Sequence, residues 1–529
     1  MYFLSSSSLK TWKKKLYVLT LLIFSISINQ YYGFIGIFPE DSFIIFNSGY
    51  DTLNGYYPFK DYWTTTGPLL DVIQAIFFKI FGVSWFSYIL HASFFNFLIA
   101  LATFLTLSKF GLNINFCFFY ALSISILAYP NAGSPFMDHH SNILSTISLF
   151  AFILALKTKS NFYWFVLPIL LCLSFLAKQV PAAYVALIVT FLSLIYFAFN
   201  FNVKKILAGF SGLLFFVILY VLIMSAGNIS LLAFFEQYIL FPQSMGKDRL
   251  DLLFPLEFKR VVLRFKLIHL SLLILFAVVI KKMIKDLNYL KSAEFFIILS
   301  LITFSFSLIV AQLMTINAKY IYFIIPVLVG FSHIYYKKYF DNKKYIFYFL
   351  IVLTVSSTVW YHHSYNASRK FMDLGEVNLK KAVNAKILSD KFNKLKWITV
   401  LQPDNPEKEI NEIQKNMDII KNDKRRKTIV TDYQFMSVFL SIYDFSPNRV
   451  WHSGANYPEI NHKYFLLYKK FFLKKLIENK VEVVYVVKPL WGDDDVLRNI
   501  LNQDCYSKEI INDNLIEQSL LNCEQLKKK

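Results

Sequence analysis

The chain has 529 residues, 56% of them hydrophobic and 18% aromatic, with a mean hydropathy of +0.45 and a formal net charge of +20 at pH 7. One water-soluble core cannot bury that much apolar surface, which excludes an ordinary soluble globular protein and leaves the bilayer to take the rest. The positive charge does not read as a nucleic-acid footprint, because much of it sits beside apolar runs, as in Lys13, Lys14, Lys15 and Lys281, Lys282, Lys285.

The apolar residues come in blocks near the ~20 residues that cross ~30 Å of hydrocarbon. In chain order they predict spans near 16–38, 84–107, 113–129, 142–156, 162–177, 181–199, 206–226, 265–280, 295–314, 320–336 and 345–360, about eleven crossings. The first run follows a basic N-terminus but lacks a small-residue cleavage site, so it predicts a retained span. After it, Leu69 to Phe81 is apolar on one face, carries Asp71, Gln74 and Lys79, and is short for a crossing; it predicts a helix at the outer interface. Threaded from a cytoplasmic N-terminus, Lys109, Lys157, Lys159, Lys204, Lys205 and the lysines of 281–291 and 337–344 all fall on the starting side. The opposite connections at 130–140 and 178–180 hold only Lys178, which satisfies the positive-inside rule and puts the C-terminal region outside.

The expected fold is therefore a polytopic α-helical membrane protein. Residues 1–360 form the transmembrane domain, with outer loops 39–83, 130–141 and 227–264, and 361–529 form a small soluble extracytoplasmic α/β domain. In that domain Thr428–Thr431 and Val481–Val487 read as buried strands, while Glu407–Ile420 and Lys463–Glu478 have helical spacing. Cys117 and Cys172 lie in apolar spans; Cys505 and Cys523 lie in the soluble tail, either as a disulfide or as two thiols.

Three sets of residues carry possible chemistry. Glu40 and Asp41 stand where the first span emerges into water, followed by the aromatic segment Tyr56-Tyr57-Pro58-Phe59-Lys60-Asp61-Tyr62-Trp63. A second acidic position, Asp138-His139-His140, follows the third span; Asp and His together can exchange protons or hold a divalent cation, for which Asp41, Asp138 and His139 are the candidate ligands. On the expected topology both sets face one side, where a shared site is allowed. Finally, Lys60, Lys178, Lys247, Arg249, Lys259, Arg260, Arg264 and Lys319 break the positive-inside pattern, and an anionic ligand such as a lipid phosphate would account for them. Of these, Lys60, Lys178, Arg260, Arg264 and Lys319 are the expected donor-phosphate set.

With these residues in view, the chain resembles the GT-C class of membrane glycosyltransferases, of the bacterial kind related to protein mannosyltransferases and aminoarabinose lipid A transferases. The resemblance covers roughly residues 10–360. It rests on Asp41-Ser42-Phe43-Ile44, the Asn54-Gly55-Tyr56-Tyr57-Pro58-Phe59-Lys60-Asp61-Tyr62-Trp63 segment, Gly67-Pro68-Leu69-Leu70, Asp138, the Phe175-Leu176-Ala177-Lys178-Gln179 turn, and Asn317-Ala318-Lys319-Tyr320 with Pro326. It implies transfer of a sugar from a polyprenyl-phosphate carrier to a lipid, glycan or protein acceptor on the non-cytoplasmic face, usually with inversion. By the same resemblance Asp41 matches the catalytic acidic position of the first outer loop and Asp138 the second acidic position, with Lys60 near the carrier phosphate and Asp61 beside it. Tyr57, His139 and His140 are assigned supporting or acceptor roles. The family pairs Asp-Glu or Asp-Asp where this chain has Glu40-Asp41; Asp41 is favoured as the base because its distance to Gly55 fits the pattern. The competing expectations are a transporter or flippase for lipid-linked cargo and a polysaccharide polymerase or ligase.

Overall fold

The computed structural model describes residues 6–254, 256–315, 321–340, 343–441, 446–490 and 492–527. It is 67% helical with a small C-terminal sheet region. Among the described residues eight helices are long and apolar enough to cross a membrane: Thr11–Gly33, Trp85–Lys109, Met137–Lys157, Gln179–Phe199, Val203–Ala226, Lys266–Lys285, Ala293–Met314 and Lys344–Met372. Shorter helices, Ile114–Leu127, Phe162–Ala177 and Ile324–Tyr339, stand at the other expected spans. The chain is thus a polytopic helical membrane protein. It divides into two compact units, one of 1–33, 92–220 and 248–371, the other of 34–91, 221–247 and 372–529.

In the first unit the helix Met137–Lys157 is the most enclosed, with 94% of its apolar window buried. It carries a polar stripe, Ser141, Asn142, Ser145, Thr146 and Ser148, all buried. In an apolar medium such groups need partners close by. Thr146 and Ser148 donate to the carbonyls of Asn142 and Leu144 on the preceding turn, both at 2.7 Å, and Ser145 meets Ser174 at 2.7 Å, fastening this helix to Phe162–Ala177. By contrast Val203–Ala226 has only 6% of its window buried and presents apolar residues outward, as a helix facing lipid does.

The first helix ends at Gly33, short of the predicted end near Phe38. Gly36 takes φ +71°, which a helix cannot continue through. Its N–H instead donates to Lys396 O at 3.0 Å, and the Ile37 N–H donates to Ile398 O at 3.1 Å.

The second unit holds the sheet. Lys427–Thr431 pairs in parallel with Val483–Val487, which pairs antiparallel with Leu515–Leu520, itself antiparallel to Tyr506–Asn512. The first two strands are buried at every position, which is why Val483–Val487 reads as an unbroken apolar run rather than an alternating one. The predicted helices are present as Pro406–Asn422 and Phe465–Glu478. Around Phe472, Val484 and Val486, the core includes Trp63 and Phe241, so two distant sequence segments complete it.

The expected interfacial helix forms as Pro68–Phe81, with Gly67 in the left-handed region at φ +65° and Pro68 opening it. Its amphipathicity is inverted relative to a soluble helix. Asp71 and Gln74 are fully buried, while Val72, Ile76, Ile80 and Phe81 are exposed. An apolar face turned outward suits the acyl boundary of a bilayer.

Cys505 and Cys523 are joined in a disulfide with a Cα–Cα distance of 5.2 Å and a sequence separation of 18. Replacing both by Ser is expected to destabilise this unit by roughly 3 kcal/mol, as a lower thermal midpoint without reductant. Equal midpoints for variant and wild type would show that the bond does not form.

Candidate functional site

Each unit carries one constellation of chemistry-bearing residues. In the second unit, the short helix Pro39–Ser42 starts with Pro39 at its first position and places Glu40 and Asp41 next to each other. Consecutive helical residues point about 100° apart, so the two carboxylates leave the helix in different directions. Glu40 Oε1 lies 2.8 Å from His452 Nδ1, with both side chains partly exposed. The hydrogen bond to Glu40 raises the His452 pKa above its ordinary value; burial opposes this, and the charges of Glu40, Asp432 and Asp41 add to it. A raised histidine pKa means that the pair stabilises the fold fully below the ordinary value of about 6.5 and loses that contribution as pH rises through the raised value.

Asp432 follows the strand Lys427–Thr431 directly, and its N–H donates to Pro489 O at 3.1 Å, just beyond the strand Val483–Val487. Both residues sit at the carboxyl ends of parallel strands, where α/β sheets commonly hold ligands. Sequence reasoning found Glu40 and Asp41 but not His452 or Asp432. His452 lies 412 positions from its partner. The available signal was an aspartate directly after the buried strand Lys427–Thr431.

The segment bearing His452 is held from below. The Trp63 N–H donates to Pro447 O at 2.7 Å and the Arg449 N–H to Trp63 O at 3.1 Å. Arg449 Nη2 donates to Asp71 Oδ1 at 2.6 Å and to Gly67 O at 3.2 Å, and its Nη1 donates to Thr66 O. Asp71 also accepts from Ser48 Oγ at 2.6 Å and Tyr62 Oη at 3.0 Å. The ion pair is almost without solvent, at 2% and 0% side-chain exposure. Burial raises the Asp71 pKa, and Arg449, Ser48 and Tyr62 pull it back toward ionisation. Three residues on from Arg449, the chain delivers His452 to Glu40.

In the same unit, Lys60 Nζ donates to Gly227 O at 3.0 Å and stands 5.7 Å from the Tyr57 ring centroid. Asp61 accepts from the Tyr57 N–H at 2.8 Å and lies 3.7 Å from Lys475 Nζ. The expected basic and acidic pair of this loop thus has separate partners.

In the first unit, Pro181 disfavours helical backbone at Val180, which is extended at φ −113°, ψ 128°. The break delivers Lys178 between two helices, and its Nζ donates to Asp138 Oδ2 at 2.7 Å, with side chains 18% and 7% exposed. The helix begins at Met137, ahead of the expected start near residue 142, so Asp138 lies in its first turn. His139 Nε2 donates to Asn131 Oδ1 at 2.7 Å, and His140 Nδ1 is 2.6 Å from Tyr129 Oη. Arg369, fully buried, donates to Pro130 O and Asn131 O at 2.9 Å and to Ala132 O at 3.0 Å. Next in this loop, Gly133 at φ +78° approaches Gly33 so closely that a Cβ would come within 2.5 Å of the Gly33 Cα.

Among the described residues no group of three or more His, Cys, Asp or Glu is arranged to hold a metal ion. The ammonium of Lys178 occupies the cation position beside Asp138. Arg260 donates to Leu252 O, and to Leu313 O at 2.8 Å; the Arg264 carbonyl accepts from Tyr322 Oη at 3.4 Å. Asn317, Ala318, Lys319 and Tyr320 lie outside the described residues. In comparisons with known proteins, the chain matches no family model and no curated relative.

Proposed function

We propose that this protein is a membrane glycosyltransferase of the GT-C kind, which moves a sugar from a polyprenyl-phosphate carrier to an acceptor on the non-cytoplasmic face, with inversion. The observation that carries this reading is the Glu40–Asp41 pair just beyond the first membrane helix, with Glu40 held by His452 at 2.8 Å. Two neighbouring carboxylates that point different ways are free to take unlike roles. Asp41 is the general base, and Glu40 is the residue that orients the loop through His452.

In the proposed step the acceptor hydroxyl gives its proton to Asp41 as its oxygen bonds to the anomeric carbon. The bond from that carbon to the carrier phosphate breaks, and the phosphate leaves with the electron pair. Lys60 is the basic residue of the same unit assigned to that phosphate. In the other unit Lys178 is paired with Asp138 at 2.7 Å. The lysine distribution supports a cytoplasmic N-terminus and eleven crossings, with the C-terminal region outside.

Mass spectrometry of surface glycans and lipids from cells with and without the gene is expected to show one sugar residue missing in its absence. An unchanged profile would count against transfer.

A further inference from the structure

We infer that the C-terminal region carries a subsite for an uncharged, hydroxyl-rich ligand, a single sugar unit, in a cavity of about 230 Å³ lined in part by Ser453, Tyr457, Glu459, Asp493, Asp495 and Asn499. As an acceptor site it rests on the transferase reading above.

Position comes first. Ser453 directly follows His452, and Asp493 and Asp495 belong to the segment leaving the carboxyl end of the strand Val483–Val487. Asp432 exerts its charge on both Tyr457 in the cavity wall and His452 beside Glu40. The cavity and the carboxylate–histidine constellation therefore share a neighbour within one unit.

The lining chemistry selects the ligand. Carboxylates, an amide and hydroxyls offer many acceptors, and among the described residues no Lys or Arg lines the cavity. An anionic ligand such as the carrier phosphate is thereby disfavoured, and one rich in hydrogen-bond donors is favoured. Asp493 already pairs with Arg498 at 3.4 Å, and Asp495 accepts from Tyr506 Oη at 3.0 Å and from Gln518 Nε2 at 2.9 Å. These partners balance part of the acidic charge, so hydroxyls suffice where a bare cluster would call for a cation.

The aromatic wall supplies the other half of a sugar site, a flat face for the C–H groups of the ring. Tyr457 is stacked on Tyr468, with centroids 5.2 Å apart at 21°, and meets Trp451 edge-on at 6.1 Å. Glu459 is admitted by Gly454, where a Cβ would come within 2.5 Å of its Oε1. Pockets for drug-sized ligands run to roughly 300–1,000 Å³. At about 230 Å³ this one suits one ring rather than an oligosaccharide.

The test is calorimetric titration of the full-length protein in detergent with methyl α-glucoside, the methyl glycoside of N-acetylglucosamine, and glucuronate. At least one neutral glycoside is expected to bind saturably, with glucuronate at least ten-fold weaker. Glu459→Gln and Asn499→Ala should each weaken the neutral ligand at least ten-fold at an unchanged thermal midpoint; Asn499 is exposed, so its variant should keep the fold. No saturable binding of either neutral glycoside, equal binding of glucuronate, or wild-type binding by both variants would overturn the proposal. Sugar binding by a protein that transfers no sugar would leave the subsite standing and sink the transferase reading, whereas transfer without binding would do the reverse.

Discussion

Asp41→Asn is expected to reach the membrane at the wild-type level and to lose at least 100-fold of its sugar transfer from a labelled polyprenyl-phosphate donor. The substitution keeps the shape of the side chain and removes its capacity to accept a proton. General-base catalysis is worth roughly 10²–10⁴-fold, or about 3–5 kcal/mol of barrier at 1.36 kcal/mol per decade. Asp41 is only partly buried, so the exchange of a carboxylate for an amide leaves no stranded core charge. Glu40→Gln is the control. It weakens the hydrogen bond with His452 at 2.8 Å but leaves Asp41 in place, so transfer should fall far less and its pH dependence should change. Undiminished transfer by Asp41→Asn would remove Asp41 as the base. Loss confined to Glu40→Gln would exchange the two roles.

The membrane helices were legible because a span is a local property: about twenty apolar residues need no partner to declare themselves. Of the eleven expected positions, eight hold helices long and apolar enough to cross and three hold shorter helices, and errors fell at the ends, where Gly36 stops the first helix and where the polar residues of Asp138-His139-His140 continue the helix from Met137 instead of preceding it. The strands at Lys427–Thr431 and Val483–Val487 were legible for the same reason, being buried throughout. Pairings were not. Nothing in the composition of 34–91 announces that Asp71, taken as a polar mark on an interfacial helix, would meet Arg449 at 2.6 Å. Likewise Glu40 is matched by His452 only once the C-terminal segment is folded against it. Lys178 is the intermediate case. Its scarcity on the outer side of the expected topology flagged it, and Asp138 at 2.7 Å gives it a partner.

Replacing Arg449 by Met is expected to destabilise the second unit by about 3–5 kcal/mol, because it leaves the Asp71 carboxylate, fully buried, without the cation that neutralises it. One neighbour makes the site less forgiving. Asp51 is itself buried, and its pKa is raised well above the ordinary value by burial first and by the charges of Asp71 and Asp61 after it. For a carboxyl shifted this way the neutral form is the one the fold favours, so its contribution is fully present below about pH 4 and is lost as pH rises through the raised value. Without Arg449 that loss should grow, and the variant should be relatively more stable in acid. The partner change, Asp71→Leu with Arg449→Met, removes both charges and substitutes apolar volume, which for buried pairs is often neutral or stabilising. The double variant should therefore regain most of the thermal midpoint. It should not regain full transfer, because the hydrogen bonds from Arg449 to Thr66 O and Gly67 O that hold the segment leading to His452 are still missing. Thermal melts and transfer assays on the two single variants and the double variant separate these effects. A double variant no more stable than Arg449→Met would show that the guanidinium acts through those carbonyls and not through Asp71.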